Sequence, residues 1–201
     1  MVKAGIIGGA GYTGGDLLRI LRNHPDVDIV FVQSTSQAGK PVWALHHDLV
    51  GETDIVFSAD APVCDVDVVF LCGGHGTAKD TVASFPKEFD GAIIDLSNDY
   101  RLEADAEDFV YGLTDLYTEE IKGCRYVANP GCFATCIQLG LLPLAALKAI
   151  EDEVHVTAIT GATGGGRKLA ETAHFPYRDN NISVYKPFTH QHLAEIGESL
   201  R

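Results

Sequence analysis

The sequence predicts an α/β fold, a doubly wound parallel sheet followed by part of a second unit. Three observations carry that expectation. Short apolar runs of strand length alternate with helix-period stretches along the 201 residues. The runs are apolar throughout rather than alternating with polar residues, as strands covered on both faces are. The first of them leads into a glycine-rich turn and an amphipathic helix, the opening of a β-α-β unit.

Taken in order, Val2 to Gly8 (VKAGIIG) reads as a buried strand, and Gly14 to Asn23 (GGDLLRILRN) as a helix stopped by His24-Pro25. Asp28 to Gln33 makes the next strand, and strands at Asp67 to Cys72 and Ala92 to Asp95 follow, with a helix near Ala78 to Phe85 between them. The acidic stretch EADAED, 103 to 108, reads as a solvated loop. After a short strand at Tyr126 to Ala128 comes the decapeptide VANPGCFATC, then a helical run from Ala134 to about Ile150, then a strand near Val154 to Thr160 that starts the second unit. The junction is placed in the decapeptide, giving units 1–131 and 132–201. The closing HLAEIGESLR has helical periodicity and no stop signal, so the chain is expected to be a fragment of a longer one.

A formal net charge of -13, with Asp+Glu 28 against Lys+Arg 15 and no basic run, argues against nucleic acid or an anionic membrane as partner. Five scattered cysteines, and an N-terminus that enters the glycine turn without a signal-peptide core, predict a reducing cytoplasm. No apolar run approaches the roughly 20 residues a membrane span needs.

In IIGGAGYTGGDLL the glycines at 8, 11 and 14 stand between strand and helix, where a dinucleotide fold needs a tight turn and close backbone approach to a pyrophosphate. The helix N-terminus would then face the phosphates. Glycines in any strand-to-helix loop can also serve the turn alone. At the end of the second strand, where an acid for a ribose 2'-hydroxyl is usual, the chain reads VQSTSQAGK. Ser34, Thr35, Ser36 and Lys40 are suited to a 2'-phosphate instead, so the expected cofactor is NADP; a plain polar loop is the other reading.

Between Tyr117 and Asp152 no histidine accompanies the cysteines, which disfavours a metal site. Cys132 follows Pro130-Gly131 and opens a helix, a position where the dipole and free N–H groups favour a thiolate. Cys136 lies one turn deeper, on the expected apolar face with Leu139 and Leu142, and reads with Cys124, Cys64 and Cys72 as a packing residue. Position alone leaves Cys132 open between nucleophile and buried thiol. A thiolate beside a dinucleotide domain suits hydride transfer through a thioester, which also needs a proton donor and acceptor. THQHLAEI offers His190 and His192, with Glu195 three residues on and on the same helix face as His192, placed to orient that imidazole. A solvated pair of helix-start histidines is the alternative.

Together, GGAGYTGGDLLRIL, DLSNDYRL, YGLTDLY, ANPGCFAT, TGATGGGR and THQHLAEI, in this order over nearly the whole chain, resemble N-acetyl-gamma-glutamyl-phosphate reductase, an arginine-biosynthesis family related to aspartate-semialdehyde dehydrogenase. The resemblance implies a Rossmann-type NADP domain followed by part of an α+β catalytic and dimerisation domain like that of glyceraldehyde-phosphate dehydrogenase. It implies Cys132 as nucleophile on a small-molecule acyl phosphate, release of phosphate, and reduction of the thioester by NADPH to a semialdehyde. His190, His192 and Glu195 match the family's acid/base segment, and Gly8, Gly11, Tyr12, Thr13, Gly14, Ser34, Ser36 and His75 its cofactor side. Arg101, Asn129 and Arg167 are the substrate-binding candidates, a guanidinium meeting phosphate or carboxylate bidentately. A dimer or tetramer of the full-length protein is implied too. The chain departs from the family's usual GCYPT at Phe133-Ala134, from HRH at Gln191, and from LALPHG in LCGGHG. Aspartate-semialdehyde dehydrogenase, or a catalytically silent NADP-binding module, stands as the alternative.

Overall fold

The computed structural model describes residues 1–201. Strand β1 (Val2–Ile7) leads through the glycine turn to α1 (Tyr12–Arg22) and then β2 (Val27–Gln33), the expected β-α-β opening. β3 (Val68–Leu71), α2 (Ala78–Ala83), β4 (Ala92–Asp95), β5 (Val110–Tyr111), α3 (Thr118–Gly123) and β6 (Tyr126–Ala128) complete one sheet and its cover. Its 6 strands run in the order β2-β1-β3-β4-β6-β5, and every neighbouring pair is parallel. A parallel strand pair needs a crossover, and the helices and loops that supply these crossovers cover the sheet.

Successive side chains of a strand point to opposite faces, so Phe31 and Val32 of β2 belong to different cores. On one face Ala4, Ile6 and Val32 pack with Leu18 and Leu21 of α1 and with Val42, Leu49 and Phe57. On the other, Val69, Leu71, Ile93 and Ala128 pack with Tyr100 and Phe109, whose rings stack with centroids 3.9 Å apart. Each fully buried large apolar side chain contributes about 1.5–3 kcal/mol. α1 starts two residues before the expected Gly14, because Gly11 at its N-cap is extended and Tyr12 already helical. Arg19 and Arg22 in its last turn complement the negative helix end and pair with Asp48 and Glu52 of the loop between β2 and β3.

Beyond the sheet, α4 (Cys132–Ala146) packs on α6 (His192–Ser199), with a four-residue helix α5 (Phe175–Arg178) between them in sequence. α4 begins at Cys132 and ends at Ala146, short of the expected Ile150. The expected strand at Val154 to Thr160 is not formed. None of its N–H or C=O groups bonds to another segment, and Val154, Val156 and Ile159 are exposed, so the run has apolar β-branched residues but no ladder partner. β5 and α3, too short to show a period, went unanticipated. No helix is long and apolar enough to cross a membrane.

Candidate active site

β1 is flanked by β2 on one side and β3 on the other, so the winding reverses there and a crevice opens beyond the carboxyl ends of β1 and β3. The glycine turn occupies it. Gly8 has φ +82, and a Cβ on it would lie 2.7 Å from the Cys72 carbonyl carbon, which excludes any side chain. A Cβ on Gly11 would meet nothing nearer than 3.6 Å, so that side of the turn is open. The N–H groups of Ala10, Tyr12, Thr13 and Gly14 have no backbone acceptor. Four free donors at the positive end of α1, beside open space, fit a dinucleotide pyrophosphate.

At the end of β2, where an acid is usual in an NAD site, the side chain of Gln33 is committed elsewhere. It accepts from Gly8 N–H at 3.4 Å and donates to Ala59 at 3.2 Å. Ser34 is buried, with its Oγ 3.5 Å from Ser36 Oγ, while Ser36 and Lys40 are exposed. Thr35, Ser36 and Lys40 are thus the accessible members of the expected 2'-phosphate set.

His75 stands at the same edge, and the segment DLSND explains its position. Asn98 N–H donates to His75 Nδ1 at 3.1 Å, and the Asp99 carboxylate accepts from Gly76 N–H at 2.7 Å and Ala78 N–H at 2.9 Å. Burial works to raise the Asp99 pKa, but those N–H groups prevail and hold it below the ordinary carboxylate value. Asp95, fully buried at the end of β4, accepts from the N–H and Oγ of Ser97. The ends of β3 and β4 are thereby bolted together.

Cys132 is exposed at the first position of α4, and the N–H groups of Cys132, Phe133 and Ala134 have no backbone acceptor. Gly131 N–H donates to Glu195 Oε1 at 2.7 Å. The His192 ring lies against Gly131 so closely that a Cβ there would sit 2.3 Å from Nε2. His192 is buried with its Nδ1 unpartnered, and burial, reinforced by the charges of His190 and Arg101, pushes its pKa down to about 4. His190 is half-buried. Its Nδ1 accepts from His192 N–H at 3.2 Å, and its ring stands edge-on to Phe133 and Tyr185, with centroids at 5.4 and 5.7 Å. Its pKa is lowered by burial first, then by Lys186. The structure therefore gathers Cys132, His190, His192 and Glu195 at one helix start, from segments some 60 residues apart in sequence.

Several expected contacts differ. The Glu195 carboxylate does not reach His192; it holds Gly131 and lies 3.6 Å from Arg101 Nη1, because α6 turns that carboxylate inward onto the α4 start. Arg101 is buried, its Nε on the Asn129 carbonyl at 2.8 Å and its Nη2 on the Leu96 carbonyl at 3.1 Å, so two of its five N–H donors are spent on backbone, while Nη1 has no hydrogen-bond partner. Asn129 donates its amide to the adjacent Pro130 carbonyl at 3.1 Å. Arg167 lies at the glycine turn, donating to Ala10 and Leu45 carbonyls at 3.0 and 3.3 Å over the Tyr12 ring. Cys136 is exposed, as is Leu139; the face of α4 that is buried carries Ala134 and Gln138. Cys64 is exposed too, whereas burial pushes the Cys72 thiol up to about 12. Tyr185 was missed: its ring lies 6.4 Å from that of Phe133 and 5.7 Å from that of His190, centroid to centroid, and burial raises its pKa. Its only signal in the sequence is an aromatic five residues before the histidine pair. Gln138 was missed as well; fully buried, it joins Tyr111, the Glu195 carbonyl and Ser199.

Residues 3–124 match the family described as semialdehyde dehydrogenase, NAD binding domain, and residues 132–201 match semialdehyde dehydrogenase, dimerisation domain. The chain is similar to the N-acetyl-gamma-glutamyl-phosphate reductase of Phocaeicola vulgatus, 54% identical over 201 residues, and to that of Parabacteroides distasonis, 52% identical over 200 residues. In both comparisons all of this chain is covered and 62% of the relative, so the chain spans under two-thirds of their length. Among solved structures, aspartate semialdehyde dehydrogenase II from Vibrio cholerae matches with TM-score 0.54 and 20% identity over 73% of this chain and 43% of that one. Aspartate semialdehyde dehydrogenase with NADP from Candida albicans matches with TM-score 0.50 and 21% identity, over 73% and 47%. At such identity these two show a shared fold.

Proposed function

The chain belongs to the semialdehyde dehydrogenase family, and from that premise we propose that its protein reduces an N-acyl-γ-glutamyl phosphate to the semialdehyde with release of phosphate, in arginine biosynthesis. The substrate class rests on relatives 52–54% identical that carry the reductase name. The observation that carries the chemistry is the exposed Cys132 at the start of α4, with free N–H donors around it and two imidazoles beside it.

In this reading the Cys132 sulfur attacks the acyl carbon, the carbon–oxygen bond to phosphate breaks, and inorganic phosphate leaves with that electron pair. A thioester remains on Cys132. The N–H groups of Cys132, Phe133 and Ala134 stabilise the oxyanion. NADPH, held by the free donors of the glycine turn with Ser36 and Lys40 toward its 2'-phosphate, supplies a hydride when bound. His190 is the proton-transfer group. With Nδ1 accepting from His192 N–H, its neutral ring carries the proton on Nε2, and partial exposure lets it exchange with solvent. His192, buried and neutral at pH 7, seats Gly131 and so the nucleophile. With a hydride delivered to the thioester carbon, the carbon–sulfur bond breaks with its electron pair going to sulfur, the thiolate re-forms and the aldehyde leaves. We place the junction of the two units at 131/132, the protein in the cytoplasm, and its assembly as a dimer or tetramer through the second unit.

The test runs the reaction backwards with the full-length protein. NADP reduction is followed in phosphate buffer with N-acetyl-glutamate 5-semialdehyde or aspartate semialdehyde. A preference of about 100-fold or more for the glutamyl compound is expected. Preference for aspartate semialdehyde rejects the substrate assignment, and inactivity with both rejects the enzyme reading.

A further inference from the structure

The loop between β2 and β3 contributes one side chain to the back of the glycine turn. His46 is 4% exposed, and its Nε2 lies 2.9 Å from the Gly9 carbonyl oxygen. The ring also presses on α1: a Cβ on Gly15 would come within 2.5 Å of its Cε1 and Nδ1. Both sides of the loop are anchored, by buried Val42 and Leu49 and by Arg19 on both oxygens of Asp48, at 2.5 and 2.7 Å. The imidazole is thus fixed by its surroundings and not by the turn it touches.

Gly9 C=O and Ala10 N–H belong to one peptide unit. In a planar trans peptide they point in opposite directions. Drawing the Gly9 oxygen toward His46 therefore aims the Ala10 N–H away from it, and that N–H is one of the four free donors of the turn. We propose that His46 is a positioning residue of the dinucleotide site, its Nε2–H holding the Gly9–Ala10 peptide so that Ala10 N–H faces the cofactor's phosphates. The inference rests on the reading of this turn as a dinucleotide site. It also gives a reason for glycine at position 15, where any side chain would displace the imidazole.

The experiment titrates NADPH, by its own fluorescence, into the full-length protein and its His46→Ala, His46→Gln and Gly15→Ala variants, with iodoacetamide alkylation of Cys132 as a measure of local integrity. His46→Ala weakens NADPH by about tenfold, the scale of one lost hydrogen bond with loosening of its acceptor. His46→Gln, which keeps an N–H donor, restores most of the affinity. Gly15→Ala weakens binding although it removes no donor. KM for NADPH rises more than kcat falls in His46→Ala. Unchanged affinity in His46→Ala overturns the inference, as does a Gln variant no better than Ala. A wild-type protein that binds no NADPH overturns the cofactor reading and this inference together, whereas tight wild-type binding with tight His46→Ala binding overturns this inference alone.

Discussion

In residues 2–128 every strand has a parallel neighbour and both apolar clusters are found there, whereas from 151 to 170 every residue is exposed and backbone bonds stay within local turns. The first region is stabilised by burial. The second is joined to it by Arg167, which donates to the Ala10 and Leu45 carbonyls, while α4 and α6 are held by polar anchors: Glu195 to Gly131 and Arg101, Gln138 to Tyr111 and Ser199, and Glu103 N–H to Glu198. The Glu195 anchor falls on Gly131, the residue before Cys132. The geometry of the nucleophile thus depends on the weaker kind of attachment, which makes it separable from the stability of the sheet.

The largest expected effect comes from Glu195→Ala. Both partners of the Glu195–Arg101 pair are almost wholly buried, so removing the carboxylate strands a guanidinium, at roughly 3–5 kcal/mol. Hydrogen exchange should rise in α4 and α6 while β1 to β4 stay protected; uniform deprotection would break the division. Ile93→Ala, at a side chain 1% exposed, should cost about 2–5 kcal/mol in urea unfolding. Gln138→Leu leaves the Tyr111 hydroxyl and the Glu195 carbonyl without the Gln138 side chain they bond and should cost about 1–3 kcal/mol, read by the same method. Acid should act on the same anchor. The folded pKa of His192, about 4, lies below its ordinary 6.5, so the folded state binds fewer protons than the unfolded one. Its stabilisation is complete above about 6.5 and is lost as pH falls toward 4. Unfolding midpoints measured across that window should fall, and fall less in His192→Gln. The smallest effect is Ile159→Ala, at a side chain 82% exposed, which should stay within about 0.5 kcal/mol. A loss comparable to Ile93→Ala would show that the second region buries more than its structure does.

The same division marks what the sequence could reveal. β4 and β6 have the expected bounds, and the glycine turn and Cys132 at a helix start were legible, because each is a local pattern. Val154 to Thr160 has strand composition too, but a strand is completed by a partner, which composition does not report. The Cys136 expectation failed because the apolar content of α4 hides its buried face: Gln138 is inside and Leu139 outside. Glu195 was expected to serve His192 from spacing along one helix, yet its partners lie 64 residues away at Gly131 and still further at Arg101. His46 gave no signal, since its contact with the glycine turn exists only once the loop has folded back.

The central claim, that Cys132 carries the acyl group, is tested most directly by mixing the full-length protein with N-acetyl-glutamyl phosphate in the absence of NADPH and mapping the adduct by peptide mass spectrometry. The account predicts one acyl thioester on Cys132, phosphate release in equal amount, and neither in Cys132→Ala. An adduct on Cys136, which is also exposed, or reductase activity retained by Cys132→Ala, would contradict it.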